Sequence, residues 1–384
     1  MIGLSTLLSK MNLLIDLTQI PVQKTGAGVY ALNLIKKIYE RKDQINYYIV
    51  IQDDEDVFDY FNKKNFHLIR VKANFFRRFI CRVPLEQLYL PYLAWKYKID
   101  AVHSLHYSFP LFTTAKRIVN IYDLSFFKFP HCHTAIKRIY FRIFTRLASR
   151  FAHKLITISE SSRNDFLQEF RIDPQRIAAI YLGCNHEADK RFDQTKITTT
   201  KQKFGITRDY ILFIGTIEPR KNIKHLILAY DRLCKEHHHC QLVIAGKKGW
   251  GFHDTFKLID SLPTKRDITF TGYITEKEKE ILLSQAKIFV YPSLYEGFGI
   301  PVLESLAKGI PTITSNISSL PEIVEDAALL VNPNDVDELY LQMRKLLTEN
   351  SLYSQLQKKS IVQAKKFSWD KMAAETIHIY NSLG

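Results

Sequence analysis

Two glutamates carry the most specific chemistry in this sequence. Glu296 and Glu304 flank Gly297-Phe298-Gly299-Ile300-Pro301-Val302-Leu303, directly after the apolar run Ile288–Tyr291. This order predicts a buried strand ending at Tyr291, a glycine-bearing loop, and a helix starting near Ile300-Pro301, because proline is tolerated in a first helical turn. Such a loop offers backbone N–H groups and the positive end of a helix dipole to an anion. Gly297, Phe298, Gly299 and Ile300 supply them. The loop also lies at the carboxyl end of a strand, where open α/β sheets bind ligands. Glu296 then sits in the loop and Glu304 about one turn inside the helix. One carboxylate can hold sugar hydroxyls while the other holds a ribose.

A second candidate segment is Gly215-Thr216-Ile217-Glu218-Pro219-Arg220-Lys221-Asn222, a strand end followed by a cationic pair. Arginine suits bidentate phosphate contact, and lysine acts as a point charge. A third is Thr25-Gly26-Ala27-Gly28-Val29-Tyr30-Ala31, which nearly fits G-x-G-x-x-A. The dinucleotide fingerprint needs a tight turn straight off its strand, whereas the first strand here ends near Asp16, about ten residues earlier. Gly26 and Gly28 are therefore read as a loop that lets backbone approach a donor phosphate or an acceptor. His103 and His106 follow another strand end and face the presumed cleft. For each of them a structural and a substrate role stay equally open. The run His237-His238-His239-Cys240 lacks a second ligand cluster at a useful spacing and reads as a solvated turn.

These residues need elements to position them, and the pattern is strand–helix alternation almost throughout. Strand-like runs in the first half are Asn12–Asp16, Tyr47–Ile51, Ile99–His103, Ile118–Tyr122, Leu155–Ser159 and Ile177–Leu182. In the second half they are Tyr210–Gly215, Gln241–Gly246, Ile268–Gly272, Ile288–Tyr291, Ile310–Ser315 and Ala328–Val331. Helical periodicity fills gaps such as Tyr30–Glu40 and Ala135–Arg150. Short buried strands alternating with helices argue for parallel, doubly wound sheets. The stretch Asn185–Gln202 has no apolar periodicity and reads as a linker. Residues 1–185 and 186–366 are thus expected as two domains. The tail 367–384 is amphipathic, with Trp369, Met372, Ala373, Ile377 and Tyr380 on one helical face.

The chain has 384 residues, 46% of them hydrophobic, enough for two domains. No apolar run is long enough to span a membrane. Residues 1–10 lack the marks of a secretory signal; they read as a short extension, or the start lies at Met11. Five scattered cysteines form neither a CxxC pair nor a disulfide framework, which fits free thiols in a reducing, cytoplasmic setting. The net charge of +15 is uneven: residues 1–185 hold 27 Lys and Arg against 15 Asp and Glu, residues 186–384 hold 27 against 24. A basic first half suggests an anionic partner. The familiar nucleic-acid motifs are missing. Arg138, Arg142, Arg146 and Arg150 recur four residues apart, joined by Lys72-Ala73-Asn74-Phe75-Phe76-Arg77-Arg78-Phe79. An anionic lipid surface and a plain solvated helix face both account for them.

The segment from Tyr291 to Glu304 resembles the Glu-x7-Glu motif of retaining family-4 glycosyltransferases. Further similar segments are Gly26 to Tyr30, Tyr122-Asp123-Leu124-Ser125-Phe126, Ile156–Ser159, Gly215 to Asn222, Leu242–Gly246 and Ser319-Leu320-Pro321-Glu322, in the family's order. The resemblance implies the GT-B fold: two Rossmann-like domains facing across a cleft, the last helix crossing back to the first domain. It implies that Lys221 clamps the donor diphosphate. Many members place an arginine after the glycine; here Thr216 stands there, and Arg220 is expected to supply the charge. Further donor-binding positions are Gly215, Gly246, Lys247, Gly272 and Tyr273. Where the family often has a histidine before Asp-Leu, this chain has Tyr122, expected to donate to a sugar hydroxyl, with Asp123 orienting or capping. Glu296, Lys221, Arg220, Tyr122, Asp123 and His103 form the expected catalytic set. The implied reaction is retaining transfer from a GDP- or UDP-linked sugar, with GDP-mannose the first choice, to a glycan or lipid-linked acceptor in cell-surface polysaccharide synthesis. No metal or other cofactor is expected, since cationic side chains take the metal's place. The alternatives are a nucleotide-sugar epimerase of the same fold and a non-catalytic protein that binds anionic surfaces. The second of these has no need for Glu296, Glu304 and Lys221 together.

Overall fold

A computed structural model describes residues 10–19, 26–73, 79–185, 192–236 and 240–383. Two parallel sheets stand side by side. The first contains β1 (Asn12–Asp16), β2 (Asn46–Gln52), β3 (Phe66–Val71), β4 (Ala101–Ser104), β5 (Lys116–Ile121), β6 (Lys154–Thr157) and β7 (Ile177–Ala179), in the order β3-β2-β1-β4-β5-β6-β7. The second contains β8 (Tyr210–Ile214), β9 (Gln241–Ala245), β10 (Ile268–Gly272), β11 (Ile288–Tyr291), β12 (Thr312–Ser315) and β13 (Leu329–Val331), in the order β10-β9-β8-β11-β12-β13. Helices cover both faces, so central strands such as β8 and β11 are buried throughout, as their unbroken apolar runs require. In each sheet the strand order reverses beside its first strand, between β1 and β4 and between β8 and β11. Ligands bind at such reversals, outside the carboxyl ends of the strands. This is the GT-B arrangement.

Two elements depart from the sequence reading. Strand β3 was not expected. Among the described residues it is an edge strand paired only with β2, and His67 and Arg70 on it are exposed, so it lacks a continuous apolar run. The stretch read as a linker holds the helix Gln194–Lys203. Asp193 caps it, accepting from Thr195 N, and its buried residues are only Ile197 and Thr200. One apolar anchor is too few to show as periodicity.

The helix Trp369–Asn381 crosses back onto the helix Ala27–Glu40 of the first sheet. Trp369, Met372, Ala373 and Tyr380 are buried there, each large apolar side chain contributing about 1.5–3 kcal/mol by area. The crossing point is tight: a Cβ on Gly183 would lie 2.2 Å from Trp369 N. Among the described residues, no helix is long and apolar enough to cross a membrane.

Candidate active site

The carboxyl ends of β5, β8, β9 and β11 meet the N-termini of the helices Ala27–Glu40 and Ile300–Ala307 around a cavity of about 440 Å³ between the two sheets. Both domains line it.

At its centre stands a buried charge cluster. Pro219–Lys221 forms one turn of 3₁₀ helix after β8, and Asn222 ends it with a left-handed φ of 55°. That turn drives Lys221 inward. Its Nζ donates to Glu296 Oε1 at 2.5 Å and to Tyr291 OH at 2.7 Å. An ammonium has three donors, so one is left for a ligand in the cavity that Lys221 lines. Glu296 also accepts from Ser293 Oγ at 2.6 Å. Burial alone would raise the Glu296 carboxyl, but the Lys221 and Arg220 charges override it and hold the pKa down at about 2. Burial and the neighbouring guanidinium push the Lys221 ammonium below its ordinary value, against the pull of Glu296.

Arg220 lines the cavity but is not the free phosphate clamp that was expected. Nε and Nη2 donate to Glu218 Oε1 (3.2 and 2.9 Å), and Nη1 donates to Tyr295 O (2.5 Å) and Glu296 Oε2 (3.3 Å). These contacts occupy most of its five donors. Arg220 instead ties the 3₁₀ turn to the loop that carries Glu296, and Leu294 N bonding to Arg220 O at 2.8 Å tightens the same seam.

The second glutamate lies deeper in the helix. Glu304 accepts from Lys279 Nζ at 2.6 Å, and Lys279 also meets Glu276 at 2.8 Å. Burial raises the Glu304 carboxyl, with Lys279 opposing. Gly299, with φ 107°, caps this helix. Gly297 has a different reason to be glycine: a Cβ there would lie 2.5 Å from Tyr122 O, across the domain boundary. Ser162 Oγ bridges that boundary, its one proton shared between Tyr122 O (3.0 Å) and Gly297 O (3.3 Å). Glu322 does the same from the second domain, accepting from Glu160 N and Ser161 N at 2.9 Å and so capping the helix Glu160–Glu169.

On the first-domain wall, Tyr122 lines the cavity with its ring, but its hydroxyl donates to Leu105 O at 2.5 Å. The proton expected for a sugar is used internally. Asp123 accepts from Ser125 N at 2.8 Å, the orienting contact of a capping residue. His103 is corrected outright. It lies within β4, fully buried, with Nδ1 2.7 Å from Tyr380 OH and Nε2 2.8 Å from Asn120 Oδ1. Burial lowers its pKa to about 4. It anchors the crossing helix and does not reach the cavity, since it sits one pleat short of the strand end. Gly28 is likewise inside the helix Ala27–Glu40 and buried, away from the large cavity, whereas Gly26 borders it. Gly272 stays in the sheet, its carbonyl accepting from Gly246 N at 2.9 Å.

The cavity thus brings together Glu296, Lys221, Arg220, Tyr122, Asp123, Gly26, Gly215, Thr216, Gly246, Lys247, Tyr273, Gly297, Phe298, Gly299, Ile300 and Glu304. It excludes His103, Gly28 and Gly272. Sequence reasoning assigned no site role to Lys279, Tyr291, Ser293 and Glu322, although all but Lys279 lie in segments it singled out. Lys279 carries no signal of its own, because its contact with Glu304, 25 residues away, is set by packing. Of the arginine stripe, Arg142 is half-buried, its Nε donating to Phe126 O at 2.8 Å, and its guanidinium lies over the Phe127 ring with that of exposed Arg146, at 5.2 and 5.3 Å. Thr25, residues 74–78 and His237–His239 lie outside the described residues.

The sequence matches two family models in tandem, Glycosyltransferase Family 4 over residues 24–188 and Glycosyl transferases group 1 over residues 196–364. It is 32% identical over 270 residues to the O-antigen chain mannosyltransferase B of Escherichia coli, covering 70% of this chain and 71% of that protein. It is 34% identical over 232 residues to the serotype-specific mannosyltransferase WbdA of Escherichia coli, covering 59% of this chain but 28% of that longer protein. In fold it is similar to Anabaena Alr3699/HepE, solved in complex with UDP and glucose, with a TM-score of 0.75 at 16% identity over 97% of this chain and 100% of that one.

Proposed function

This chain belongs to glycosyltransferase family 4, and from that premise we propose that it transfers mannose from GDP-mannose, with retention of configuration, to a glycan or lipid-linked acceptor in cell-surface polysaccharide synthesis. The mannosyltransferases at 32% and 34% identity support the sugar. The observation that carries the chemistry is the buried Lys221–Glu296 pair opposite Tyr122 and Asp123 in one cavity.

The step breaks the bond from the anomeric carbon to the donor phosphate oxygen and forms one to an acceptor oxygen. The departing diphosphate takes the acceptor proton on the same face. The protein then has to position both substrates and stabilise charge on the leaving group. The remaining Lys221 donor and the N–H groups at Gly297–Ile300 meet the diphosphate, which makes a metal unnecessary. Glu296, held ionised, faces the positive charge that develops on the sugar, and Glu304 holds the ribose.

The acceptor reading includes an anionic membrane surface. Leu88, Tyr92 and Trp95 on one helical stretch are exposed, as are Ile136, Ile139 and Ile143 on the helix Ala135–Phe151. Tyr140 OH bonding to Glu86 at 3.1 Å brings the two stretches side by side. Apolar faces on a basic domain suit a lipid interface.

The test is turnover of GDP-mannose against UDP- and ADP-linked sugars with a mannoside acceptor, with and without EDTA, the anomeric configuration of the product being read by NMR. Transfer from GDP-mannose with retention, unaffected by EDTA, is expected. An inverted product, or activity that returns only with added divalent metal, overturns the mechanism. Co-sedimentation with phosphatidylglycerol vesicles, but not with phosphatidylcholine vesicles, is expected for the surface.

A further inference from the structure

The first domain holds a second polar site that the transfer chemistry leaves unused. Glu86 is fully buried at 0% exposure. Its Oε1 accepts from Arg82 Nε and Gln19 Nε2, both at 2.7 Å, and from Ser108 Oγ at 2.8 Å. Burial raises the Glu86 carboxyl, and the Arg82 charge pulls it back.

This hub aims its neighbours. Gripped through Nε, Arg82 leaves its Nη2 buried with no hydrogen-bond partner. Gripped through its amide nitrogen, Gln19 leaves Oε1 buried and equally unpartnered. His106 Nδ1 is the third such atom. Buried polar atoms are almost always bonded, so Gln19 Oε1 and His106 Nδ1, whose residues line one pocket, call for a ligand or a water. A cavity of about 20 Å³, lined by Asp16, Gln19, Gly28 and His106 among others, lies here and shares Ala27 with the large cavity. It opens at the carboxyl ends of β1 and β4, the strand-order reversal of the first sheet.

We propose that this pocket is a subsite for a hydroxyl or hydroxymethyl group of the acceptor sugar, recognised by Gln19 and His106. The inference rests on the glycosyl-transfer reading. The unpartnered atoms in the lining are an acceptor on Gln19 and an imidazole nitrogen on His106 that serves as donor or acceptor. A hydroxyl both gives and takes a hydrogen bond. An anion only takes them, and here it meets the Asp16 carboxylate in the lining. A water needs roughly 10–15 Å³ by this measure, so the pocket admits a group of that size but not a sugar ring. The ring stays outside, toward Ala27 and the cleft where its sugar partner is transferred.

The experiment is an NMR saturation-transfer titration of the full chain with methyl α-mannopyranoside and methyl α-glucopyranoside, on wild type, Gln19→Leu and His106→Phe. GDP affinity and thermal melting are measured on the same samples. Each substitution is expected to weaken glycoside binding at least ~10-fold, since a site built to bond a hydroxyl loses that match, while GDP affinity and melting hold. If the wild type binds neither glycoside, or both variants bind as the wild type does, the pocket holds only a structural water and the proposal is wrong. Glycoside binding that the variants lose, on a wild type that does not bind GDP, keeps the subsite and rejects GDP as the donor nucleotide.

Discussion

The two walls of the cleft are held by different physics. On the second-domain wall, Lys221 meets Glu296 at 2.5 Å, Arg220 meets Glu218 at 2.9 Å and Lys279 meets Glu304 at 2.6 Å. The first-domain wall carries no such ion pair among the described residues: Tyr122 donates to a carbonyl, Asp123 accepts from a backbone N–H, and behind the wall His103 lies between Tyr380 and Asn120. Fixed charges help most where charge develops during reaction, because a preorganised site spends nothing on reorienting. A departing diphosphate is such a place. An incoming hydroxyl is neutral, and the wall that receives it needs shape and hydrogen bonds instead. The charged wall should therefore control rate, and the first-domain wall stability and acceptor fit.

The strongest way to break this contrast is Lys221→Ala. Transfer should fall on the order of 10²-fold or more, with circular dichroism unchanged. Wild-type turnover would show that the charged wall does not stabilise the leaving group.

Within that wall, the two glutamates should separate. Glu296→Gln should lower turnover more than GDP affinity, because in the proposed role its charge meets the sugar mainly in the transition state. Glu304→Gln should weaken GDP binding as well, since the proposed ribose contact would be made from binding onward. Calorimetry beside steady-state kinetics decides, and the opposite pattern reverses the assignments.

A pH series sharpens the energetic side. Glu296 has a folded pKa of about 2, below the usual ~4.3 of an unfolded glutamate. Its contribution, on the order of 3 kcal/mol by linkage, is present above ~4.3 and is lost as pH falls through the folded value. Melting curves from pH 6 downward should lose less stability in Glu296→Gln than in wild type. Parallel acid limbs would remove the ion pair from the account.

The smallest effect is expected behind the first-domain wall. Tyr380→Phe leaves buried His103 short of one partner, at a cost of about 1–3 kcal/mol, seen in denaturant melts with turnover unaltered. A fall in turnover instead would return His103 to the chemistry.

Much of the charged wall was readable because its residues are close in sequence. Glu296 and Glu304 lie on one loop–helix unit, and Arg220-Lys221 on one turn, so strand ends and glycines already implied their placement. The first-domain wall was not. His103 reads as a strand-end histidine, and only the crossing helix, 277 residues away in sequence, fills the space beside it. Arg220 was read as a phosphate clamp because its type allows that; Glu218 and the loop carbonyl compete for the same donors.

From the sequence alone follow the two α/β domains, most of the strands, the glycosyltransferase family and the loop-helix that bears the two acids. These depend on local periodicity and on motifs whose residues are neighbours in the chain. The tertiary structure decided which charges are already spent on one another, which hydroxyl protons are free, and which glycines face the cavity. It also decided that Lys279 orients Glu304 and that Glu322 caps a helix of the other domain. Those outcomes depend on long-range packing, and a side chain's hydrogen-bonding capacity shows in the sequence only as a total, never as what remains once its neighbours in space have taken their share.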